Sequence, residues 1–245
     1  MKHPFRKKWG QHFLRDPNLI TKIINCLESN NNDIILEIGP GDGALTDQLY
    51  QQVHHIHAVE IDPLLIDHLM GKLYTNVSLY QADILEWNLN LLPDNIKIIG
   101  NLPYYISSHI LFRLLDNQNW QKMVLMFQKE VAQRITSPPG NKSYGRLSIM
   151  CQVYTLVNIE FTVPRSVFLP KPDVDSAIVT FKPINENLPD IAPFSKFIKQ
   201  AFSQRRKKLK NNFPLAYESG ILDKWADMRP EELSSTEYIQ LFQRI

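Results

Sequence analysis

The stretch Ile96-Lys97-Ile98-Ile99-Gly100-Asn101-Leu102-Pro103-Tyr104 decides how this chain folds. Its β-branched first half predicts a buried strand. Gly100 and the Leu102-Pro103 step end that strand, because proline cannot donate to a ladder and keeps the preceding residue extended. Open α/β sheets bind ligands at the carboxyl ends of their strands, and an amide, a rigid backbone and an aromatic face together suit a planar amino-heterocycle. The alternative is an ordinary strand-to-turn junction, in which Asn101 caps the turn and Tyr104 packs on the core.

Three further strands are predicted upstream, and each ends in an acidic residue. Glu37, Glu60 and Asp83 lie 23 residues apart, the length of a βα unit, so parallel strands would bring all three to one edge. With the strand that ends at Asn101 and three strands downstream, the pattern predicts an α/β fold with a seven-stranded, mostly parallel, Rossmann-like sheet. The predicted strands cover 34–37, 56–60, 77–83, 96–101, 123–128, 158–163 and 176–182.

A polar, proline-spaced linker around 183–193 divides the chain. We predict a first domain over 1–185, which begins with a basic arm at 1–15, and a small all-helical domain over 190–245. One helix of the second domain is expected to begin at Pro230. Residues 145–157 are apolar nearly all round and predict a buried helix of the first domain.

The composition limits the classes of protein to which this chain can belong. The 245 residues are 44% hydrophobic, which is enough to bury a large core. No run approaches the roughly 18 apolar residues of a membrane span, and the amino terminus has no apolar signal core, so we expect a soluble, cytoplasmic protein that does not enter a membrane. Cys26 and Cys151 fall in apolar helical patterns, which indicates two buried, reduced thiols.

The basic residues are unevenly distributed, although the net charge is only +2. Ten of them lie in 1–15 and 205–210, which leaves 17 of the 27 basic residues against 25 acidic residues. A solvated charge run explains either segment alone, whereas two such segments in one chain favour a nucleic-acid surface. The residues expected to contact nucleic acid are Lys7, Lys8, Arg205, Arg206, Lys207, Lys208 and Lys210.

A glycine-rich loop, Glu37-Ile38-Gly39-Pro40-Gly41-Asp42-Gly43-Ala44-Leu45-Thr46, joins the first of these strands to a helix. It satisfies G-x-G-x-x-A, and Glu60 lies near the distance expected of a ribose-binding acid, so a dinucleotide site must be considered. The two acids of the loop argue against a pyrophosphate, since no nearby Lys or Arg offsets them. S-adenosylmethionine has no phosphate and carries a sulfonium and an ammonium, so it suits an acidic loop in which Gly39 and Gly41 allow close approach.

The acids that follow the next two strands would complete this cofactor site. Glu60 would accept hydrogen bonds from both ribose hydroxyls, and Asp83 would accept from the adenine amino group. Each acid taken singly is equally explained as a helix cap or turn residue. That explanation is less convincing for three acids that lie at consecutive strand ends around one glycine loop.

Several motifs of the chain occur together in the order and spacing of one family. They lie at 10–14, 37–46, 59–62, 82–83, 101–104, 128–132, 144–148, 167–176 and 202–212. Through them the chain resembles the ribosomal RNA adenine-N6 dimethyltransferases, and within that family the small-subunit branch known through kasugamycin resistance. His12 departs from the pattern, since many members carry Asn there.

The resemblance implies a Rossmann-like methyltransferase sheet with a small C-terminal all-helical domain. It implies methyl transfer from S-adenosylmethionine to N6 of two adjacent adenosines in the 3′-terminal hairpin loop of small-subunit (16S) rRNA, by a monomer acting on an immature subunit. Tyr104 would stack on the flipped adenine, and Phe168 would cover its other face. The residues implied to contact the cofactor are His12, Leu14, Gly39, Glu60, Asp83 and Asn101.

The chemistry must activate an amine whose lone pair is conjugated with the adenine ring. If the Asn101 oxygen and a main-chain oxygen of Leu102 or Pro103 accept from the NH2, the nitrogen is drawn toward tetrahedral geometry and its lone pair can face the methyl group. Tyr104 would hold the base after it leaves its stack. We assign no general base and no metal.

Three other functions are weighed against this one. Large-subunit rRNA dimethylases of the antibiotic-resistance type share the fold, a non-catalytic RNA-binding relative would have lost turnover, and a DNA adenine methyltransferase would need a target-recognition domain that this chain lacks. His54-His55-Ile56-His57 could suggest a metal, but alternation on a strand without further ligands favours a solvated strand start.

Overall fold

The strands that the sequence predicts form the main sheet. The structure is a computed structural model that describes residues 12–117, 119–184 and 188–245. Its strands are β1 (Phe13–Leu14), β2 (Ile34–Ile38), β3 (His55–Glu60), β4 (Val77–Gln81), β5 (Ile96–Asn101), β6 (Trp120–Gln128), β7 (Thr155–Val163), β8 (Phe168–Leu169) and β9 (Ser176–Pro183). Seven of them form one sheet in the order β4-β3-β2-β5-β6-β9-β7. The predicted α/β fold with a seven-stranded sheet is confirmed.

Parallel pairing aligns the carboxyl ends of five strands. β2 pairs in parallel with β3 and β5, β3 with β4, and β5 with β6, whereas β9 is antiparallel to β6. Ile38 lies opposite both Val59 and Gly100, and Glu60 lies opposite Gln81. The chain runs outward from β2 through β3 and β4 and then returns to β5 on the other side of β2. This reversal leaves a crevice at the carboxyl edge between β2 and β5.

The helices begin where the local sequence supplies capping groups and apolar faces. Asp16 caps the first helix by accepting from the backbone N–H groups of Asn18 and Leu19, and Pro17 is the first helical residue. The apolar face of that helix packs with Ile35 and Ile56 of the sheet in one core. The helices are α1 (Pro17–Asn25), α2 (Thr46–Leu49), α3 (Pro63–Met70), α4 (Ser107–Asp116), α5 (Lys129–Ile135), α6 (Arg146–Tyr154), α7 (Ile191–Ala201), α8 (Leu209–Asn212), α9 (Pro214–Glu218) and α10 (Ser235–Phe242).

The end of the predicted basic arm is a strand. β1 pairs antiparallel with β8, with Phe13 opposite Leu169 and Leu14 opposite Phe168. The basic arm predicted over 1–15 therefore includes a short strand at its end, because a distant proline-rich segment supplies the partner strand. Residues 1–11, which include Lys7 and Lys8, lie outside the described residues.

The chain divides into two compact units. The first takes its described residues from 12–132 and 158–182, and the second consists of 133–157 together with the described residues of 183–245. The sequence predicts a linker around 183–193 and places 133–157 in the first domain, whereas 133–157 is part of the second compact unit. The reason is that α6 is buried among the helices that follow the linker: Tyr154 meets Phe194 of α7 at 6.1 Å between ring centroids, and its hydroxyl donates to the Pro189 carbonyl at 2.9 Å.

Two predicted helices of the second unit differ in extent from those observed. The helix expected over 145–157 ends at Tyr154, and the chain enters β7 at Thr155. Pro230 begins a 3₁₀ turn, Pro230–Glu232, and the α-helix starts at Ser235, where the Ser234 hydroxyl accepts from the backbone N–H of Glu237 at 3.2 Å. A capping serine thus defines the helix start more strongly than the upstream proline.

The two cysteines are both free. Cys151 is buried as predicted, whereas Cys26 at the end of α1 is only partly buried, so that expectation is wrong for Cys26. Within 12–117, 119–184 and 188–245, no helix combines the length and apolar character needed to cross a membrane.

Candidate active site

A cavity of about 210 Å³ lies at the carboxyl edge of the sheet, where β2, β3, β4 and β5 end. Parallel strands place their terminal residues side by side here, so segments far apart in sequence share one wall. The lining includes 12–14, 38–42, 59–61, 82–85 and 101–106. Each residue predicted to contact the cofactor lies in these segments: His12, Leu14, Gly39, Gly41, Glu60, Asp83 and Asn101.

The glycine loop turns sharply beneath this cavity. Gly39 and Gly41 have φ of 66° and 61°, a region that residues with a Cβ rarely adopt. The Gly39 N–H donates to the carbonyl of Val59 at 2.9 Å, which ties the loop to the end of β3. A Cβ at Gly41 would lie 3.2 Å from the Phe13 ring, so β1 covers the loop closely.

Glu60 lines the cavity with a carboxylate that the backbone holds in place. Its Oε2 accepts from the N–H of Gly41 at 3.1 Å, and its Oε1 accepts from those of Ile61 and Asp62 at 2.9 and 3.0 Å. Burial raises the pKa of Glu60, and these backbone donors act in the opposite direction. Asp83, at the next strand end, is fixed by the bond that its Oδ1 accepts from the Leu85 N–H at 2.8 Å.

Glu37 lies below the loop and not in the cavity wall. Its side chain is buried, and its Oε2 accepts from the Thr46 hydroxyl at 2.7 Å. Within the described residues its Oε1 has no hydrogen-bond partner. Burial raises the pKa of Glu37 to about 7, so this carboxyl is partly protonated near neutral pH.

A basic residue does offset one acid of the loop, contrary to the expectation from sequence. The Arg15 guanidinium lies 2.6 Å from the Asp42 carboxylate, and its position follows from the path of β1 across the loop. Glu60 and Asp83 remain as acids of the wall, and none of the described lining residues is Lys or Arg. A pyrophosphate would therefore still meet net negative charge, whereas a group that carries sulfonium, ammonium and hydroxyl functions fits these acceptors.

Asn101 has a fixed amide orientation. Its Nδ2 donates to the main-chain carbonyl of His12 at 2.8 Å. Because that carbonyl can only accept, the amide nitrogen must face it, and the Oδ1 is left facing the other way as an acceptor. The alternative in which Asn101 merely caps its own turn does not describe this contact, which joins residues 89 positions apart.

Tyr104 is held on two sides. Its hydroxyl lies 2.5 Å from the Ser176 hydroxyl, and its ring is nearly parallel to that of His12, with centroids 5.7 Å apart. The His12 ring in turn bonds through Nδ1 to the carbonyl of Pro170 at 2.7 Å, which requires the N–H on Nδ1. Burial raises the pKa of Tyr104, so the phenol is neutral at physiological pH.

Phe168 does not lie where the sequence interpretation put it. The side chain is 3% exposed, packs in the core with Leu14 and Val163, and does not line the cavity. Alternation along β8 explains this, since pairing with β1 turns Phe168 inward and leaves Leu169 exposed. The structure thus provides no Phe168 ring surface to a base in the cavity.

Two aromatic residues of the wall were not assigned roles from the sequence. Phe13 covers Gly41, and Tyr105 lies at the cavity with 61% of its surface exposed. The signal for Tyr105 was its place directly after Tyr104, ahead of the serines that begin α4. For Phe13 the signal was an aromatic residue among the cations of the basic arm.

The basic run of the second unit is partly neutralised by its own unit. Lys208 and Lys210 both lie 2.9 Å from the Asp227 carboxylate, and these contacts lower the pKa of Asp227 to about 2. The Arg205 guanidinium donates to the carbonyls of Lys142 and Tyr144 at 2.5 and 3.0 Å. Arg206 and Lys207 are exposed and, in the part of the chain that the structure describes, enter none of the ion pairs.

The histidines that could have suggested a metal lie on β3 and directly before it. Within 12–117, 119–184 and 188–245, no three or more His, Cys, Asp or Glu side chains come together as a metal site would require. His55 and His57 instead bond to the hydroxyls of Ser78 and Tyr80 at 2.9 and 3.0 Å.

The glycine loop, the acids at neighbouring strand ends and the strand order together define a Rossmann-like α/β protein whose ligand site lies at the carboxyl edge of the sheet. Solved structures share this fold over nearly the whole chain. A dimethyladenosine transferase from Plasmodium falciparum superposes with a TM-score of 0.84 at 27% identity, covering 94% of this chain and 96% of that one. The 23S rRNA methyltransferase ErmE gives 0.76 at 25% identity, with 95% and 98% covered.

Sequence comparison identifies the family. The family model for ribosomal RNA adenine dimethylase matches residues 2–245. Proteins named ribosomal RNA small subunit methyltransferase A from Mycoplasma capricolum subsp. capricolum and from Chlorobium phaeobacteroides are each 40% identical to this chain. The matches cover 98% of this chain in both cases, and 97% and 91% of the relatives. The chain belongs to the ribosomal RNA adenine dimethylase family.

Proposed function

We propose that this protein transfers methyl groups from S-adenosylmethionine to N6 of two adjacent adenosines in the 3′-terminal hairpin loop of 16S rRNA, within an immature small ribosomal subunit. The products are N6,N6-dimethyladenosines. The choice of the small subunit is supported by the relatives described above, which are named for it and share more sequence identity with this chain than the 23S enzyme does. A monomeric state and a cytoplasmic location remain predictions from the sequence.

Residues of the cavity wall hold the cofactor in this proposal. Glu60 accepts from the ribose hydroxyls, Asp83 accepts from the adenine amino group, and the glycine loop lets the backbone approach closely. When bound, S-adenosylmethionine supplies an electrophilic methyl group on a positively charged sulfur. Acceptors at two neighbouring strand ends, in a wall with no described Lys or Arg, favour a cationic, phosphate-free ligand.

The chemistry rests above all on the hydrogen bond from Asn101 Nδ2 to the His12 carbonyl. It leaves Oδ1 as the acceptor for one N–H of the target amine. The second acceptor is a main-chain oxygen, and we assign it to Leu102, since the Pro103 carbonyl already accepts from the Ile106 N–H at 3.2 Å. Two acceptors on one amine draw the nitrogen toward tetrahedral geometry and free its lone pair.

The target base has to leave its stack to reach these oxygens. Tyr104 offers the ring on which it stacks, and the contacts to Ser176 and His12 hold that ring in one orientation. Once methylated, the amine is acidic enough to lose its proton to solvent or to the same oxygens. We therefore assign no general base to the chain.

RNA phosphates are held by the basic segments. Lys7 and Lys8 belong to the segment outside the described residues. In the run 205–210, the exposed and unneutralised Arg206 and Lys207 are the better candidates, whereas Lys208 and Lys210 share Asp227 and Arg205 is committed to main-chain carbonyls. Such contacts supply salt-dependent affinity, and the target is selected by the shape of the RNA and its particle.

A tritium-transfer assay on small subunits that lack the modification tests the proposal. The purified protein should label 16S rRNA, and digestion should yield N6,N6-dimethyladenosine. Label in 23S rRNA alone would assign the protein to the large-subunit branch. No label in either rRNA, with the cofactor bound, would indicate a non-catalytic RNA-binding relative.

A further inference from the structure

Tyr105 is an aromatic side chain at the cavity for which the proposed chemistry has no use. It is 61% exposed, whereas the other described aromatic residues of the first unit are buried or partly buried. Single exposed apolar residues are common on protein surfaces and need no explanation by themselves. Tyr105, however, lies at the wall of the cavity that receives the target base in the proposed function, and it directly follows Tyr104, the residue proposed to stack on that base.

Two hydrogen bonds hold the backbone around Tyr105 in a turn. The Ile106 N–H donates to the Pro103 carbonyl at 3.2 Å, so Tyr104 and Tyr105 are the two central residues of a tight turn. The Ser107 hydroxyl donates to the Tyr104 carbonyl at 3.0 Å, and α4 begins at Ser107. The turn therefore sets where two adjacent rings leave the backbone: the Tyr104 ring is anchored to Ser176 beside the cavity, and the Tyr105 ring is exposed to solvent.

We propose that Tyr105 stacks on the base that flanks the target adenosine, an inference that rests on the proposed function. Flipping one base into the cavity removes a stacking surface from its neighbour, which costs free energy. An exposed ring at the rim replaces that surface without regard to base identity. Since the proposed substrate has two adjacent adenosines, Tyr105 would hold one while the other is methylated.

The test compares Tyr105→Ala and Tyr105→Phe on small subunits that lack the modification. We expect Tyr105→Ala to lower kcat/KM for the particle about tenfold, within the range measured for base–aromatic stacking, and Tyr105→Phe to stay within about twofold of the unchanged protein. Leu91→Ala is the matched control, because Leu91 is 64% exposed but does not line the cavity. Thermal melting and cofactor affinity should be the same in all variants.

A second measurement separates stacking from a merely structural role. The adenosine beside the target is replaced by uridine, which offers a smaller stacking surface, and both proteins are assayed on the altered particle. This replacement should slow the unchanged protein but have little further effect on Tyr105→Ala, because both changes remove the same contact. Effects that multiply independently would overturn the inference, as would Tyr105→Ala activity within twofold of the unchanged protein.

The outcomes also separate this inference from the proposed function. If the unchanged protein labels 16S rRNA and Tyr105→Ala does so equally well, the stacking role fails and the proposed function stands. If the unchanged protein labels no small-subunit RNA, both fail together.

Discussion

Asn101 shows how one hydrogen bond can turn a common residue into a directed acceptor. The amide is useful only if its oxygen faces the target amine, and the His12 carbonyl enforces that orientation by accepting from Nδ2. This hydrogen bond is already formed in the cavity wall, so the Asn101 amide does not have to reorient when the base binds.

Replacing Asn101 with Ala should abolish methyl transfer, because no other described group replaces its oxygen at this position. Folding and cofactor affinity should be nearly unchanged, as measured by thermal melting and calorimetric titration of S-adenosylmethionine. Asn32→Ala, an exposed asparagine in a turn, serves as the control. Turnover of Asn101→Ala near that of the control would refute the role assigned to Asn101.

Glu37 should make the free energy of unfolding depend on pH. Its pKa is raised from 4.5 to about 7 in the folded chain, chiefly by burial. Between those values the folded form keeps a proton that the unfolded form has lost, so the free energy of unfolding should fall as pH rises from about 4.5 to 7. The loss from this group should total about 3 kcal/mol and be complete above pH 7.

Chemical denaturation between pH 4.5 and 8 checks this expectation. Glu37→Gln should remove this contribution, because a neutral amide has no proton to lose, whereas exposed Glu86→Gln should leave it in place. A profile for Glu37→Gln that matches the parent would mean that the pH dependence arises elsewhere.

At the scale of elements, the basic run 205–210 is less uniform than it looks in the sequence. Asp227 lies close to two of its lysines, and main-chain carbonyls engage Arg205. A cation that already has a carboxylate partner must give up that partner to bind a phosphate. Only part of the run can therefore bind phosphate without first losing an ion pair.

The double variant Arg206→Ala, Lys207→Ala should weaken RNA binding and reduce the slope of log affinity against log salt concentration by roughly 1.5, as expected for two lost phosphate contacts. The pair Lys208→Ala, Lys210→Ala removes the same formal charge but should reduce the slope clearly less, since Asp227 already offsets those lysines. Filter binding to 16S rRNA across a salt series measures both. Equal slopes for the two double variants would show that the ion pairs do not limit the RNA contacts.

At the scale of the whole molecule, the second unit is discontinuous in sequence. Its segment 133–157 precedes the linker, and α6 within it buries Leu147, Ile149 and Tyr154. Tyr154 packs against Phe194 and donates to the Pro189 carbonyl, and both of these partners lie beyond residue 188. The linker is therefore a poor place to cut the protein, although its composition marks a boundary.

A chain that ends after residue 184 should be less soluble than the full chain and should bind a hydrophobic dye, because α6 loses the helices that cover it. Size-exclusion chromatography and dye fluorescence measure this. The full-length variant Phe194→Ala, which removes one ring and keeps the helices, should stay soluble with a lowered melting temperature. A monomeric, dye-negative fragment would show that α6 does not need the later helices.

Much of the fold and part of the site were predictable because they depend on local patterns. A β-branched run stopped by Gly100 and Pro103, acids spaced by one βα unit and a glycine loop predict the strands and the edge where ligands bind, since each signal lies within a few residues. The same local signals brought Gly39, Glu60, Asp83 and Asn101 to one cavity.

The sequence alone determined the seven strands of the main sheet, the glycine loop, the carboxyl edge and the family resemblance, because periodicity, turn chemistry and motif spacing are written in neighbouring residues. The tertiary structure decided that Arg15 pairs with Asp42, that Asn101 faces the His12 carbonyl, that Phe168 is buried and that Asp227 neutralises two lysines. Each of these contacts joins segments distant in the chain. Which distant side chains meet depends on the paths of the loops and on the packing of the core, and no local period encodes either.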